Sequence, residues 1–154
     1  MEAHVRTCLW FEEKGEEAAR FYVSLIPDSR IESEFCPNPD DPPLVVNFTL
    51  GGTPYQALNG GPHFKLTEAA SISVLCADQE ETDRLWNALI ADGGQESQCG
   101  WLKDRFGLSW QIVPEALPRL LADPDREAAG RTMQAMMGMH KIDIAALEAA
   151  YRGE

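Results

Sequence analysis

Two kinds of apolar pattern run along this chain, and together they predict a fold of mixed helices and strands. Two segments, from about Glu13 to Ile26 and from Asp78 to Ile90, carry apolar residues at steps of three and four, which is typical of an amphipathic helix. Asp78 is followed by Glu81 three residues later, and this spacing predicts a capping box at the start of the second helix. Short runs of strand-forming residues surround both segments. These runs predict strands at 5–11, 30–36, 44–50, 53–59, 71–76, 95–98, 100–103 and 108–113.

The two predicted helices belong to an internal repeat with a spacing of 64 residues. When the segment from Glu16 to Ser33 is placed on the segment from Glu80 to Ser97, eight of eighteen positions are identical without a gap. Two copies are too few for a solenoid, which needs at least about three repeats to bury a continuous core. The repeat instead predicts paired half-domains with a pocket or interface shared between them.

The chain after Pro114 is predicted to be helical. Asp123 is predicted to cap a helix that begins at Pro124, and Asp143 to cap a final helix with Ile142 and Leu147 in contact across its first turn. The methionines of this tail give it an adaptable apolar surface. That surface has two interpretations, a contact with a second subunit or packing on the chain's own sheet. The methionines concerned are Met133, Met136, Met137 and Met139.

These elements predict a single α+β domain over 1–154, since 44% of its residues are hydrophobic and supply one core. Two βαβββ modules form a cupped mixed sheet, and a C-terminal helical extension follows. The predicted boundaries are 5–61 for the first module, 62–70 for a connector, 71–113 for the second module and 114–154 for the helical tail.

Charge and cysteine content limit the partners and the compartment. A formal net charge of −12 disfavours nucleic acid and anionic membrane surfaces as partners. No apolar run approaches the roughly 20 residues that span a bilayer, and the N-terminal residues lack the pattern of a secretory signal. The four cysteines follow neither a zinc-binding nor a disulfide spacing, so we expect free thiols and a cytoplasmic protein.

Three segments resemble one known family. They are CLWFEEKGEEAARFYVSLIPDSRI (Cys8 to Ile31), ALNGGPHFKLTEAASISVLCAD (Ala57 to Asp78) and SQCGWLKDRFGLSWQIVP (Ser97 to Pro114). They are similar to the PhnB-like branch of the vicinal oxygen chelate superfamily, which also contains glyoxalase I, bleomycin-resistance proteins and dioxygenases. The branch is often labelled with a 3-demethylubiquinone 3-methyltransferase name. No glycine pair of this chain lies between a strand and a helix as a nucleotide site requires, so we do not expect a methyltransferase that uses S-adenosylmethionine.

The resemblance implies a ligand pocket inside the curled sheet, where active relatives bind a divalent metal through His, Glu or Gln. Gln111 stands where such relatives usually carry Glu. The side chains expected in the pocket carry no carboxylate and no imidazole, and neutral groups compensate a buried cation poorly. We therefore expect no tight metal centre, with Gln111 and Asn59 as the weak alternative ligands. The expected pocket residues are Cys8, Trp10, Tyr55, Asn59, Ser71, Ser73, Trp101 and Gln111.

The resulting hypothesis is a homodimeric protein that binds a small organic molecule, with an unknown reaction. His63 in the connector is the candidate general acid or base, although a solvent-facing loop histidine is the simpler interpretation. A divalent-metal-dependent isomerase, lyase or dioxygenase is the alternative. A third possibility is an interaction protein whose methionine-bearing tail is its working surface.

Overall fold

The chain forms two compact units that divide between Leu66 and Thr67. A computed structural model describes residues 5–154. The residues before Val5, on which the expectation of no secretory signal depends, lie outside that range.

The first unit is a strand, a helix and three further strands. Its elements are β1 (Thr7–Phe11), α1 (Gly15–Leu25), β2 (Arg30–Phe35), β3 (Val45–Leu50) and β4 (Thr53–Asn59). The sheet has the order β1-β4-β3-β2, in which β1 runs parallel to β4 and the other neighbours are antiparallel. Helix α1 covers one face of this sheet because its apolar stripe is buried there, with Ala18, Ala19 and Tyr22 almost fully enclosed.

The second unit repeats this plan and adds helices. Its elements are β5 (Ser71–Cys76), α2 (Gln79–Ile90), β6 (Gln95–Glu96), β7 (Trp101–Lys103), β8 (Ser109–Pro114), α3 (Ala116–Leu121), α4 (Arg126–Met137) and α5 (Ile144–Arg152). The sheet has the order β5-β8-β7-β6, with β5 parallel to β8. The predicted fold class is confirmed, since each unit is a βαβββ module with a mixed sheet and a helical extension follows the second.

Local signals in the sequence place the ends of these elements. The Asp78 carboxylate accepts a hydrogen bond from the Glu81 amide at 2.9 Å, and the Glu81 carboxylate accepts one from the Ala77 amide at 2.8 Å. The Asp78 contact satisfies an amide of the first helical turn, as the predicted capping box requires. The second contact differs from the standard box, because Glu81 accepts from Ala77, the residue before the cap, and not from Asp78 itself. The turn between β3 and β4 is formed by Gly51 and Gly52, whose φ angles of 54° and 87° suit a tight hairpin and favour glycine.

The C-terminal helices pack within the second unit around a small apolar cluster. Ile142 and Leu147 are both fully buried in it, and the Asp143 side chain accepts from the Ala146 amide, which confirms the predicted cap of the last helix. The predicted helix start at Pro124 is wrong. Asp125, whose side chain accepts from the Ala128 amide, is the actual cap, and α4 begins one residue later.

Two methionines of the tail pack within the chain, and two others remain exposed, where a second subunit could contact them. Met136 and Met139 pack against the apolar cluster. Met133 and Met137, one turn apart on α4, remain 46% and 56% exposed. Among the helices formed by residues 5–154, none combines the length and apolar character needed to cross a membrane.

Candidate functional site

Each sheet has one face against its helix and one face that its helix leaves open. In the second unit Trp110 and Ile112 of β8 are fully buried on the helix side. Side chains alternate along a strand, so Gln111 between them points to the opposite face. We call this opposite side of β5, β7 and β8 the open face of the second unit.

Two rows of aligned residues define this open face. In the first row Ser71 lies beside Ser109, which lies beside Lys103. In the second row Ser73 lies beside Gln111, which lies beside Trp101. Four of the predicted pocket residues therefore share one surface. They are Ser71, Ser73, Trp101 and Gln111.

A hydrogen bond connects the two rows. The Gln111 amide nitrogen donates to the Ser71 hydroxyl at 3.0 Å across the parallel pair of strands. Both side chains are half-buried, and Trp101 beside Gln111 is also partly accessible. A partly shielded surface with amide and hydroxyl groups next to an indole ring matches the usual composition of a small-molecule site.

The open face of the first unit carries Cys8 and Trp10 of β1. The Trp10 indole donates to the Gly61 carbonyl at 2.9 Å, and its ring meets Phe64 edge-on with centroids 4.9 Å apart. A Cβ atom on Gly60 would come within 2.4 Å of the Trp10 ring, so this position admits only glycine without a shift of the indole. Neighbouring groups desolvate Cys8 and raise the pKa of its thiol.

A row of neutral polar groups crosses the same face of the first unit, and its central member, Gln56, is not among the pocket residues predicted from the sequence. Gln56 of β4 lies beside Cys8 in the register. Its amide nitrogen donates to the Asn47 side-chain oxygen at 2.9 Å, and Asn47 in turn donates to the Ser33 hydroxyl at 3.1 Å. Gln56 occupies the place in the first sheet that Gln111 occupies in the second, since each lies on the strand that pairs with the first strand of its unit. Strand alternation could have identified Gln56, because it follows Tyr55 on β4 and its side chain therefore points to the opposite face of the sheet.

Tyr55 and Asn59 lie on the helix side of the first sheet, not on the face that carries Cys8. Tyr55 stacks on the buried Phe48 ring at 5.6 Å, and its burial raises the pKa of its phenol. Asn59 accepts from the Gly15 amide at 2.7 Å and donates to the Pro43 carbonyl at 2.9 Å. Its amide group thus holds the start of α1 and the chain before β3.

The Asn59 side chain also borders a groove of about 380 Å³ on the first unit. Glu12, Glu13, Asp41 and a run of prolines form most of the remaining wall. This groove is separate from the open face, because Asn59 is on the opposite side of the sheet from Cys8.

His63 lies in the segment after β4, which has no regular secondary structure, and its side chain is exposed. Its neighbour Phe64 is 66% exposed although its ring meets Trp10. The structure therefore places the predicted general acid or base at the solvent surface of the first unit.

The donor set on these faces does not suit a divalent cation. The second unit offers the neutral oxygens of Ser71, Ser73 and Gln111, and Asn59 uses its amide for two backbone contacts. A cation held by neutral groups alone loses hydration energy without charge compensation. Within residues 5–154, no three His, Cys, Asp or Glu side chains form a group able to hold a metal ion. The residues present therefore do not fit a metal centre of the kind the resemblance implies.

Comparison with known proteins gives a family and a fold. The family model described as 3-demethylubiquinone-9 3-methyltransferase matches residues 3–113. A PhnB protein from Bacillus cereus that carries the same description is 31% identical, with 73% of this chain and 99% of that chain covered and a TM-score of 0.65. The search of curated proteins found no match.

More distant structures share the fold alone. Protein PA1353 from Pseudomonas aeruginosa is 22% identical, with 74% of this chain and 98% of that chain covered and a TM-score of 0.61. The fosfomycin resistance protein FosX from Listeria monocytogenes is 12% identical, with 74% and 93% covered and a TM-score of 0.50. The fold predicted from the resemblance is confirmed, since these structures share it.

Proposed function

We propose, because the chain belongs to the PhnB-like 3-demethylubiquinone-9 3-methyltransferase family, that it binds a small organic molecule on the open face of its second unit. The observation that carries this proposal is the Gln111–Ser71 hydrogen bond beside Trp101. Gln111 can exchange its partner for a ligand group, while the indole ring supplies apolar contact area. Cys8, Trp10 and Gln56 are the corresponding groups on the first unit.

The family description is not the activity that we propose. A nucleotide cofactor such as S-adenosylmethionine is usually held at a glycine-rich turn between a strand and a helix. Within residues 5–154 three connections lead from a strand to a helix, Glu12-Glu13-Lys14, Ala77-Asp78 and Glu115, and none contains a glycine. Carboxylates at these positions repel phosphate or carboxylate groups of a cofactor.

The proposed site works without a tight metal ion. Gln111, Ser71 and Ser73 are uncharged, and they recognise a ligand by hydrogen bonding. The alternative, a divalent-metal-dependent isomerase, lyase or dioxygenase, requires carboxylate or imidazole ligands, and the row of Ser73, Gln111 and Trp101 carries neither. Metal analysis of protein purified without chelator separates the two, because the alternative requires close to one ion per chain.

His63 is the candidate for proton transfer if the bound molecule reacts. Imidazole is the side chain most often used to accept and donate protons in catalysis. Because His63 is exposed, we expect the His63→Ala variant to fold normally. A loss of turnover with unchanged stability would then show that His63 takes part in the reaction. A loss of stability would make it a structural residue instead.

A thermal-shift screen of small metabolites tests the binding proposal. A compound at 100 times its dissociation constant adds about 2.7 kcal/mol to the free energy of unfolding. We expect at least one compound to raise the melting temperature of the wild type and to lose this effect in Gln111→Leu. Gln134→Ala, a change of an exposed glutamine on α4, is the matched control and keeps the effect. An equal shift in the wild type and in Gln111→Leu would contradict the proposal.

Two further features belong to the proposal. The chain forms a homodimer, which sedimentation velocity tests as a species of twice the chain mass. It works in the cytoplasm, and the support for this is that Cys8, Cys36, Cys76 and Cys99 are all free thiols, as a reducing compartment keeps them.

A further inference from the structure

A small cavity opens at one end of the open face of the second unit. Its volume is about 130 Å³, and its walls include Trp101, Lys103 and Ser109 together with two carboxylates, those of Glu68 and Glu96. The Glu96 carboxylate already accepts a hydrogen bond from the Trp86 indole at 2.9 Å. It lies in the row that contains Ser109 and Lys103, next to the row that contains Gln111 and Trp101. A molecule bound at Gln111 thus has this cavity within reach, because alternate residues on one face of a strand are about 7 Å apart.

Ser109 gives the cavity an unused hydrogen-bonding group. The residue is only 1% exposed, and within the described part of the chain its hydroxyl is the buried side-chain polar atom without a partner. Buried hydroxyl groups are normally paired, because an unpaired one has lost its hydration without compensation. A hydroxyl in this state at a cavity wall is suited to donate to an incoming acceptor.

Lys103 gives the same cavity a positive charge, which is already paired with a carboxylate. Its ammonium group is 2.5 Å from the Glu68 carboxylate. The Lys103 side chain is 34% exposed, whereas that of Glu68 is 66% exposed. Glu68 lies in the segment before β5, outside any strand or helix, so it can turn away from Lys103 without disturbing the sheet. An exposed ion pair of this kind contributes little net stability, and its exchange for another pair costs little.

We infer that this cavity is a subsite for the carboxylate of a small organic acid, with Lys103 and Ser109 as its ligands and Glu68 as the group that the acid displaces. This inference rests on the proposed function, since the remainder of the acid lies along Trp101 and Gln111. One ammonium group and one hydroxyl match the two oxygens of a carboxylate. The volume equals roughly four water molecules at about 30 Å³ each, which accommodates a carboxylate with a short carbon chain.

Glu68 carries the same chemical group that the subsite selects. With no acid bound, its carboxylate neutralises Lys103, and the Lys103 hydrogen bond keeps the pKa of Glu68 below its usual range. The ligand carboxylate therefore competes with a carboxylate of the chain itself. A neutral ligand does not compete with it, because Lys103 offers donors that a charged acceptor satisfies best.

The test compares sodium propionate with propionamide, which have nearly the same shape and differ in charge. Each is titrated to 100 mM into the uniformly ¹⁵N-labelled full chain at constant ionic strength, and the indole signal of Trp101 and the amide signals of Lys103 and Ser109 are followed. We expect a saturable change with propionate and an affinity at least about tenfold lower for propionamide. Sodium phosphate is titrated in parallel, and tighter binding of phosphate than of propionate would overturn the assignment to carboxylates.

Three variants separate the roles of the three side chains. Lys103→Met is expected to weaken propionate binding at least about tenfold, whereas Glu68→Gln tightens it about threefold or more because the competitor is removed. Ser109→Ala weakens binding about threefold yet leaves the melting temperature unchanged or higher, since it removes a buried hydroxyl that has no partner. A purely structural Ser109 would give the opposite stability result.

The chain offers matched controls for the charge changes. Lys141 has the same side-chain exposure as Lys103, 34%, and it too contacts a carboxylate, that of Asp83 at 2.9 Å. Lys141→Met and Asp83→Asn therefore remove an equivalent ion pair elsewhere in the second unit, and neither is expected to change propionate affinity. Equal weakening by Lys103→Met and Lys141→Met would overturn the subsite.

The results also distinguish this inference from the proposed function. If propionate gives no saturable change up to 100 mM while a neutral compound still binds in a Gln111-dependent way, the carboxylate subsite is refuted and the proposed function stands. If Lys103→Met weakens propionate binding as expected but Gln111→Leu changes the affinity of no ligand, the subsite stands and the role of Gln111 is refuted. A tighter complex with propionamide than with propionate refutes the subsite directly.

Discussion

Gln111 and Ser71 are joined by a 3.0 Å hydrogen bond across the parallel strands β8 and β5, on the sheet face that α2 does not cover. The bond lies next to the partly accessible ring of Trp101. A hydrogen bond in this position contributes little to stability, because either of its two neutral, partly accessible groups can bond to water or to a ligand instead. The same exchange allows the pair to recognise a ligand.

The first prediction follows from that exchange. Ser71→Ala is expected to lower the free energy of unfolding by about 1 kcal/mol or less, since a neutral hydrogen bond contributes about 0.5–1.5 kcal/mol net. The amide of Gln111 then has no fixed partner in the sheet, so ligand affinity changes more than stability does. Urea unfolding followed by tryptophan fluorescence, together with the thermal-shift response, measures both quantities. A loss above about 3 kcal/mol would mean that the pair is a structural feature of the core.

The second prediction concerns Asp104, a buried carboxylate that organises the turn between β7 and β8. Its oxygens accept from the amides of Phe106 and Leu108 and from the indole of Trp110, at 2.9, 3.0 and 2.9 Å. Asp104→Ala leaves these buried donors without their acceptor and is expected to cost about 3 kcal/mol or more. Asp104→Asn keeps one acceptor oxygen and costs less.

Urea unfolding measures the effect of both Asp104 variants. Asp40→Asn, which changes an exposed carboxylate in the loop between β2 and β3, is the control and is expected to stay within about 0.5 kcal/mol of the wild type. If Asp104→Ala were as mild as this control, the carboxylate would not be organising the turn.

The third prediction concerns Cys76, which is fully buried at the end of β5. Burial raises the pKa of its thiol from the ordinary value of 9.0 to about 11. Thiolate is the reactive form, so Cys76 is expected to resist a maleimide reagent at pH 8 while the exposed Cys36 reacts. Mass spectrometry of the labelled peptides reads both rates, and rapid labelling of Cys76 in the folded protein would contradict its burial.

The raised pKa of Cys76 also makes stability depend on pH. The folded chain holds this thiol proton more tightly than the unfolded chain, so the contribution is complete below pH 9 and is lost as pH rises from about 9 to about 11. Cys76→Ala is expected to flatten the decline of unfolding free energy over that interval. An unchanged slope in this variant would assign the decline to other groups.

The fourth prediction tests the C-terminal helices. Leu147→Ala removes a fully buried side chain from the cluster around Ile142 and is expected to cost about 2–5 kcal/mol. Met137→Ala, at a position that is 56% exposed, is expected to change stability by less than about 0.5 kcal/mol. Equal effects of the two substitutions on chemical unfolding would show that the tail does not pack as described.

The sequence predicted the elements well because their signals are local. The capping pair Asp78 and Glu81, the Gly51-Gly52 hairpin and the cap at Asp143 each act within four residues. The start of α4 was predicted two residues too early. Asp123 and Asp125 are both suitable caps on the basis of residue type, and only the actual path of the chain selects Asp125.

The candidate site was harder to predict because strand alternation defines two faces without saying which one the helix covers. On β8 alternation alone separates Trp110 from Gln111, and the structure buries Trp110 and leaves Gln111 partly accessible. On β4 alternation puts Tyr55 and Asn59, both expected in the pocket, on one face, but the packing of α1 makes this the helix side and leaves Gln56 on the open face instead.

The cavity at Lys103 and Ser109 could not be predicted from the sequence. Its pairing of Lys103 with Glu68 joins residues that are distant along the chain, and the unpartnered state of Ser109 depends on its whole surroundings. Neither property leaves a local pattern of residue types.

The most direct test of the central claim is a crystal structure of the protein with the compound that stabilises it most in the thermal-shift screen. We expect density for that compound in contact with Gln111 and Trp101 on the open face of the second unit. Density confined to another surface, such as the groove that Arg119 and Glu148 line, would contradict the claim that this face binds the ligand.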